Sequence, residues 1–256
     1  MQTRRQFLTR AGGAAAGLVL APTLLRLSSK TASAQAIPGS PTFSGNTTTS
    51  VAGPFPLNAG LTVVRVQFNG TTNFHAELVL PQPGADPTGP YVADSYFPLF
   101  DQIGAFKGAG AAVVGTPGTY LLTIGSAGAF QGSVEQPLPE TVTPVQQTSF
   151  SGKGQAVTPY FMLPDGISQV SMQASAPPQA PVLQLIAALY HLDDLGGEAI
   201  VGGVQGTDPV RGSTLFDFRD PANQPSFPIS LPDDGPYVLA VWNDSIDQST
   251  WTISFA

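Results

Sequence analysis

The sequence predicts an all-β protein built as two tandem antiparallel β-sandwich domains of jelly-roll type. Three observations predict it. Short apolar stretches alternate with polar residues at a period of two, the pattern of strands with one buried face. With 28 Gly and 25 Pro in 256 residues, a turn signal falls every few positions, which suits many short strands. The chain also repeats itself, the mark of a duplicated unit.

The first element is an export segment, residues 1–36. Thr3, Arg4, Arg5, Phe7 and Leu8 resemble the twin-arginine export motif. An uncharged apolar stretch from Ala11 to Leu25 follows, shorter than the ~20 residues a membrane span needs and broken by Pro22. Ala32 to Ala36 then forms a small-x-small cleavage pattern, with cutting expected after Ala36 or Ala34. The resemblance implies a twin-arginine translocase as the partner during export, no stable membrane insertion, and a final location that is extracellular, at the cell surface or periplasmic.

Two modules follow, residues 37–135 and 148–256. Thr42-Phe43-Ser44-Gly45 is echoed by Ser149-Phe150-Ser151-Gly152. Pro56 to Leu61 is echoed by Met162 to Ile167, and Gly118-Thr119-Tyr120 by Gly235-Pro236-Tyr237. Val64, Val66 and Phe68 alternate with polar residues, as Val170, Met172 and Ala174 do in the second copy. Phe74 to Leu80 and Val182 to Leu195 are read as corresponding strands. Asp217 to Pro225 reads as an inserted loop. Residues 136–147 carry Pro137, Pro139 and Pro144, which favour an extended, semi-rigid linker.

The Phe-Ser-Gly start, the Leu-Pro-Asp-Gly turn, the Gly-Pro-Tyr strand and the terminal Trp251-Thr252-Ile253 strand resemble the pre-peptidase C-terminal modules of secreted prokaryotic proteins. That resemblance implies a jelly-roll-like accessory module. It carries over no catalytic residues.

Composition narrows the chemistry. Five basic residues, Arg65, Lys107, Lys153, Arg211 and Arg219, face 17 acidic ones beyond the export segment, a formal net charge of −12. Such a surface repels nucleic acid. Charged residues make up 11% of the chain, against roughly 25% in ordinary domains, so the polar surface is mostly Ser, Thr, Gln and Asn. The absence of cysteine excludes disulfides, thiolate nucleophiles and cysteine-ligated clusters. Gly152-Lys153-Gly154 lacks phosphate-loop spacing and reads as a hairpin turn.

Candidate sites are few. Trp242 is expected on the outer face of its strand beside Asn243 and Asp244, a platform on which a sugar ring would stack. The alternative places Trp242 over a strand end or in the contact between modules. Tyr96 belongs to an aromatic cluster with Tyr91, Phe97, Phe100 and Phe106 that either lines a groove or caps the sandwich. The histidines, His75 beside Glu77 and His191 before Asp193 and Asp194, can each be drawn as a base with its orienter. Calcium is the one cofactor considered, with carboxylates at Asp217, Asp220, Asp244 and Asp247, and also at Asp193-Asp194 and Asp233-Asp234. Asx turns explain such residues equally well.

The functional expectation is a non-catalytic exported protein acting in extracellular or envelope binding or adhesion, on a polysaccharide. A structural subunit of a fibre or matrix is the second expectation, self-associating through a free strand at Asn46 to Ser50. A secreted hydrolase with a site at His75 or His191 is the third.

Overall fold

The computed structural model describes residues 39–46, 48–82, 93–175, 185–192, 207–208, 212–218, 226–228, 236–243 and 250–256. The export segment lies outside them. The N-terminal half contains Thr42–Gly45 (β1), Thr49–Leu57 (β2), Gly60–Phe68 (β3), Asn73–Pro81 (β4), Ala93–Ile103 (β5), Phe106–Val114 (β6), Gly118–Ser126 (β7) and Phe130–Glu135 (β8). The C-terminal half contains Val145–Gln146 (β9), Ser149–Lys153 (β10), Ala156–Val157 (β11), Phe161–Met162 (β12), Gln169–Ser175 (β13), Leu185–His191 (β14), Thr207–Asp208 (β15), Gly212–Phe218 (β16), Ser226–Pro228 (β17), Tyr237–Asn243 (β18) and Thr250–Phe255 (β19).

The first half forms two four-stranded antiparallel sheets, β1-β8-β3-β6 and β2-β7-β4-β5. The first strand pairs with the last, and the strands alternate between sheets in the jelly-roll manner. The second half repeats the plan. One sheet runs β10-β19-β13-β17, and the other runs β12-β18-β14-β16, with β11 on β18, β15 beyond β16 and β9 beyond β12. The strand equivalent to β2 is thus split into β11 and β12, with Pro159 between them. The duplication read from turn residues is a duplication of topology.

The Phe-Ser-Gly echo has a shared physical cause. Gly45 lies opposite Phe130, and Gly152 lies opposite Trp251. A Cβ on Gly45 would stand 2.5 Å from the Phe130 ring, and one on Gly152 would stand 2.3 Å from the Trp251 ring. Each glycine lets an aromatic ring of the last strand lie across the first strand's backbone. Trp251 is held there by its indole N–H, which donates to Gly154 O at 2.9 Å.

Three apolar layers organise the packing. Phe68, Phe74, Phe100 and Tyr120 centre the first, between the two N-terminal sheets. Phe150, Phe161, Tyr237 and Ile253 centre the second, between the C-terminal sheets. The third joins the halves. Leu61 and Val63 of β3 and Ala109 and Ala111 of β6 pack against Ala188 and Tyr190 of β14 and Val238, Ala240 and Trp242 of β18.

Several local expectations change. Thr49 and Ser50 are not a free strand, because they pair with Gly125 and Ile124 at the start of β2. Gly152-Lys153-Gly154 is not a hairpin turn. β10 and β11 belong to different sheets, so the chain crosses from one to the other there. Asp217 lies in β16 rather than in a loop, while 219–225 fall outside the described residues. In the segment read as a linker, Pro139–Thr141 is a 3-10 turn and Val145–Gln146 pairs in parallel with β12.

Replacing Gly152 with Ala should destabilise the fold by about 1–3 kcal/mol, the usual scale for overpacking a filled site. The Trp251 ring is buried and hydrogen-bonded, so it cannot swing aside. A lowered chemical-denaturation midpoint with an unchanged slope is the expected readout.

Candidate functional site

Trp242 is the first correction. The period-two reading of β18 holds: Tyr237, Leu239 and Val241 face the second core, and Val238, Ala240 and Trp242 face away from it. The other face, however, is not open. Trp242 is 3% exposed and packs edge-on against Tyr190, with centroids 6.5 Å apart. The first half's β3–β6 surface covers it, so it is no sugar platform.

The other predicted residues stand as follows. Asn243 ends β18, and Tyr96 lies in β5 opposite Val79; the side chains of both, and that of Asp217, are outside the described set. Asp193, Asp194, Asp220, Asp233, Asp234, Asp244, Asp247 and Tyr91 lie outside the described residues altogether. Phe97 and Phe100 are buried, and Phe106 packs on Phe74 at 5.3 Å. These three rings fill the first core instead of lining a groove. His191 ends β14 against the Tyr237 ring at 5.0 Å. His75 contacts the Glu77 carboxylate through Nε2 and lies between Gly125 and Asp101 in the sheet.

The duplication gives His75 and Glu77 a context. Aligning the halves on Tyr120 and Tyr237 sets His75 against Ile186, Glu77 against Ala188, Thr123 against Ala240 and Gly125 against Trp242. In the C-terminal half this sheet face is apolar and covered by the first half. In the N-terminal half the same face carries His75, Glu77, Thr123 and Asp101, with the His75 side chain 42% exposed. Among the described residues it is the less buried member of the pair and the best candidate for an external contact.

The seam holds polar residues that sequence reasoning missed. Val63 lies opposite Glu135, and Arg65 lies opposite Ser133, so all four share the seam face of their sheet. Arg65 Nε donates to Glu135 Oε1 at 2.8 Å, and Ser133 Oγ donates to the same oxygen at 3.2 Å. Tyr160, from the second half, packs on this patch. Burial pushes its phenol up to about 12. The Glu135 carboxylate adds to the rise, while the Arg65 guanidinium opposes it. The Gln155 side-chain amide donates across the seam to Leu99 O. That approach needs Gly108 and Gly110, where a Cβ would stand 2.8 Å from Gln155 O and 2.9 Å from Gln155 Nε2.

A scan against protein-family models returns no match, so the pre-peptidase resemblance rests on the residues quoted for it. No curated protein matches either. Among solved structures, the PBSX exported protein XepA aligns over 84% of this chain and 85% of its own, at 10% identity and a TM-score of 0.25. A triple jelly roll protein of an archaeal virus turret aligns over 85% of this chain and 59% of its own, at 16% identity and a TM-score of 0.23. At those scores neither likeness carries an argument about function.

Two outcomes follow from the seam. Trp242→Ala should cost about 3–5 kcal/mol of stability, the scale for truncating a buried tryptophan. An exposed platform residue would lose almost none, and thermal unfolding separates the two. Stability should also fall at alkaline pH. The Tyr160 phenol is raised above its ordinary value near 10, so the contribution of its neutral form is complete below about pH 10. It is lost as pH rises through about 12. Tyr160→Phe should remove that part of the loss, measured as a shallower decline in unfolding free energy between those pH values.

Proposed function

We propose that this is an exported, non-catalytic protein in which two sandwich modules, 37–135 and 148–256, are joined face to face and present the open face of β2-β7-β4-β5 to an extracellular or envelope ligand. The twin-arginine-like start supports the route, with delivery outside the cytoplasm. The observation that carries the binding reading is the contrast between equivalent faces: apolar where the first half covers it, and polar with His75, Glu77, Thr123 and Asp101 where the His75 side chain is 42% exposed. A flat polar sheet face of this kind suits a neutral or weakly basic polymer such as a polysaccharide, contacted through hydrogen bonds. Calcium, with Asp217, Asp220, Asp244 and Asp247 as its carboxylate ligands, remains part of this proposal.

The same contrast favours binding over fibre formation. A filament made by repeating the internal contact needs an apolar receiving face on the next copy. The face available for it carries His75 and Glu77 in place of Ile186 and Ala188. A hydrolase reading gains little from His75, whose cross-strand neighbours are Gly125 and Asp101 rather than a nucleophilic hydroxyl.

The test is retention of the full exported chain on insoluble cellulose, chitin and peptidoglycan. Retention on one of these, weakened about tenfold by a combined His75→Ala and Glu77→Ala change as loss of ligand hydrogen bonds predicts, supports the reading. Absence of retention with concentration-dependent polymers on gel filtration would instead support the structural alternative.

A further inference from the structure

The duplication also matches the strands that flank the β4–β7 face. Val51 corresponds to Val157, because they lie opposite equivalent residues, Thr123 in one half and Ala240 in the other. Val157 is 2% exposed inside the seam, whereas Val51 is 46% exposed. Where the C-terminal half has Trp242, the N-terminal half has Gly125, and a Cβ there would meet only the His75 Cβ, at 4.0 Å. Among the described residues, the space that an indole fills in one half is thus open in the other. It forms a trough floored by Gly125 and bordered by His75, Thr123 and Val51. The charge around it has one sign. β2, β7, β4 and β5 contain no lysine or arginine. The two basic residues of the N-terminal half, Arg65 and Lys107, belong to the other sheet. Glu77 is engaged by His75. Asp101, across the strand from His75, is exposed and belongs to neither ion pair of the described residues.

Resting on the reading of this face as a polysaccharide site, we propose that its ligand is an amine-bearing polysaccharide. A pyranose ring settles over Gly125, with its C–H groups against Val51 and its hydroxyls on Thr123 and His75. The protonated amine of an adjoining sugar is taken by Asp101. Adjacent strands lie ~4.8 Å apart, so Gly125, His75 and Asp101 form a row across three strands, and a polymer laid across the strands passes all of them. A neutral polymer fills the trough but leaves the Asp101 carboxylate without a counter-charge. A carboxylated or sulfated one is repelled by Asp101 and Glu77. The amine-bearing chain alone matches the trough, the apolar border and the charge together.

Calorimetric titration of the full exported chain with soluble oligomers of glucosamine and of N-acetylglucosamine, equal in length, tests it at a pH where the free amine is protonated. The glucosamine oligomer should bind about fivefold tighter, the upper scale for one exposed ion pair, and the margin should shrink as salt is added. Asp101→Asn should bring the two oligomers to parity without weakening the acetylated one. Gly125→Thr adds a side chain that the open strand tolerates, and it should abolish binding of both. Equal binding of the two oligomers by the unaltered protein, or a preference that survives Asp101→Asn, would overturn the amine assignment and leave the polysaccharide reading standing. Binding of neither, or binding indifferent to Gly125→Thr, would overturn both. Capture of a lysine-rich peptide in preference to either oligomer would overturn them as well.

Discussion

Everything in this molecule turns on a layer of strands that is buried on both faces. β3, β6, β14 and β18 each contribute to a sandwich core on one side and to the seam on the other. The centre of the seam is small: Ala109 and Ala111 meet Ala188 and Ala240. Small side chains let two sheets close to the ~10 Å of ordinary sheet packing or less, with Trp242, Tyr190 and Tyr160 filling the space around them. Such an approach leaves no room for a loosely placed charge. Arg65 and Glu135 are therefore paired in the one place where both remain next to the contact. A buried pair of this kind adds little net stability over an apolar substitute, yet breaking it by removing one partner costs about 3–5 kcal/mol.

Much of the fold was legible because turns and half-buried strands leave local marks. Gly45 and Gly152 announce strands crossed by an aromatic ring, and Val64-Arg65-Val66-Gln67-Phe68 announces a strand with one core face. The seam was marked differently, by runs with little polar interruption: Leu185 to Tyr190 and Tyr237 to Trp242 in the C-terminal half, Ala109 to Val114 in the N-terminal half. An unbroken apolar run of six residues belongs to a strand buried on both sides. Trp242 was placed outward by correct periodicity and a wrong assumption about what lies beyond the sheet. The run itself carried the correction.

The candidate site was less legible for a related reason. Arg65 and Glu135 lie 70 positions apart, and Tyr160 comes from the other half, so no local pattern joins them. Only the β3–β8 register places Val63, Arg65, Ser133 and Glu135 on one face. His75 and Glu77 were visible as a pair two residues apart. Their significance came from the duplication, which shows the alternative fate of the same positions. Phe97, Phe100 and Phe106 could be read from sequence as lining a groove or as capping the sandwich, and no local pattern shows that Phe100 and Phe106 pack on Phe74 and Phe97 on Tyr120 inside the first core.

Duplication followed by docking explains the asymmetry between the halves. Two identical sandwiches meeting head to tail would each retain the partner's contact surface and would keep adding copies. Here only one surface of each type kept the apolar residues. The β13 face equivalent to Val63 and Arg65 carries Gln169 and Ser171, and the β4–β7 face equivalent to Ala188 and Ala240 carries Glu77 and Thr123. Pairing Val63 or Ala188 with these groups would desolvate a carboxylate and hydroxyls with no apolar gain, which is unfavourable by several kcal/mol. The contact therefore closes on itself after one use. The face released from packing is the one that carries His75, Glu77 and Asp101, and it is where the proposed external ligand would meet this protein.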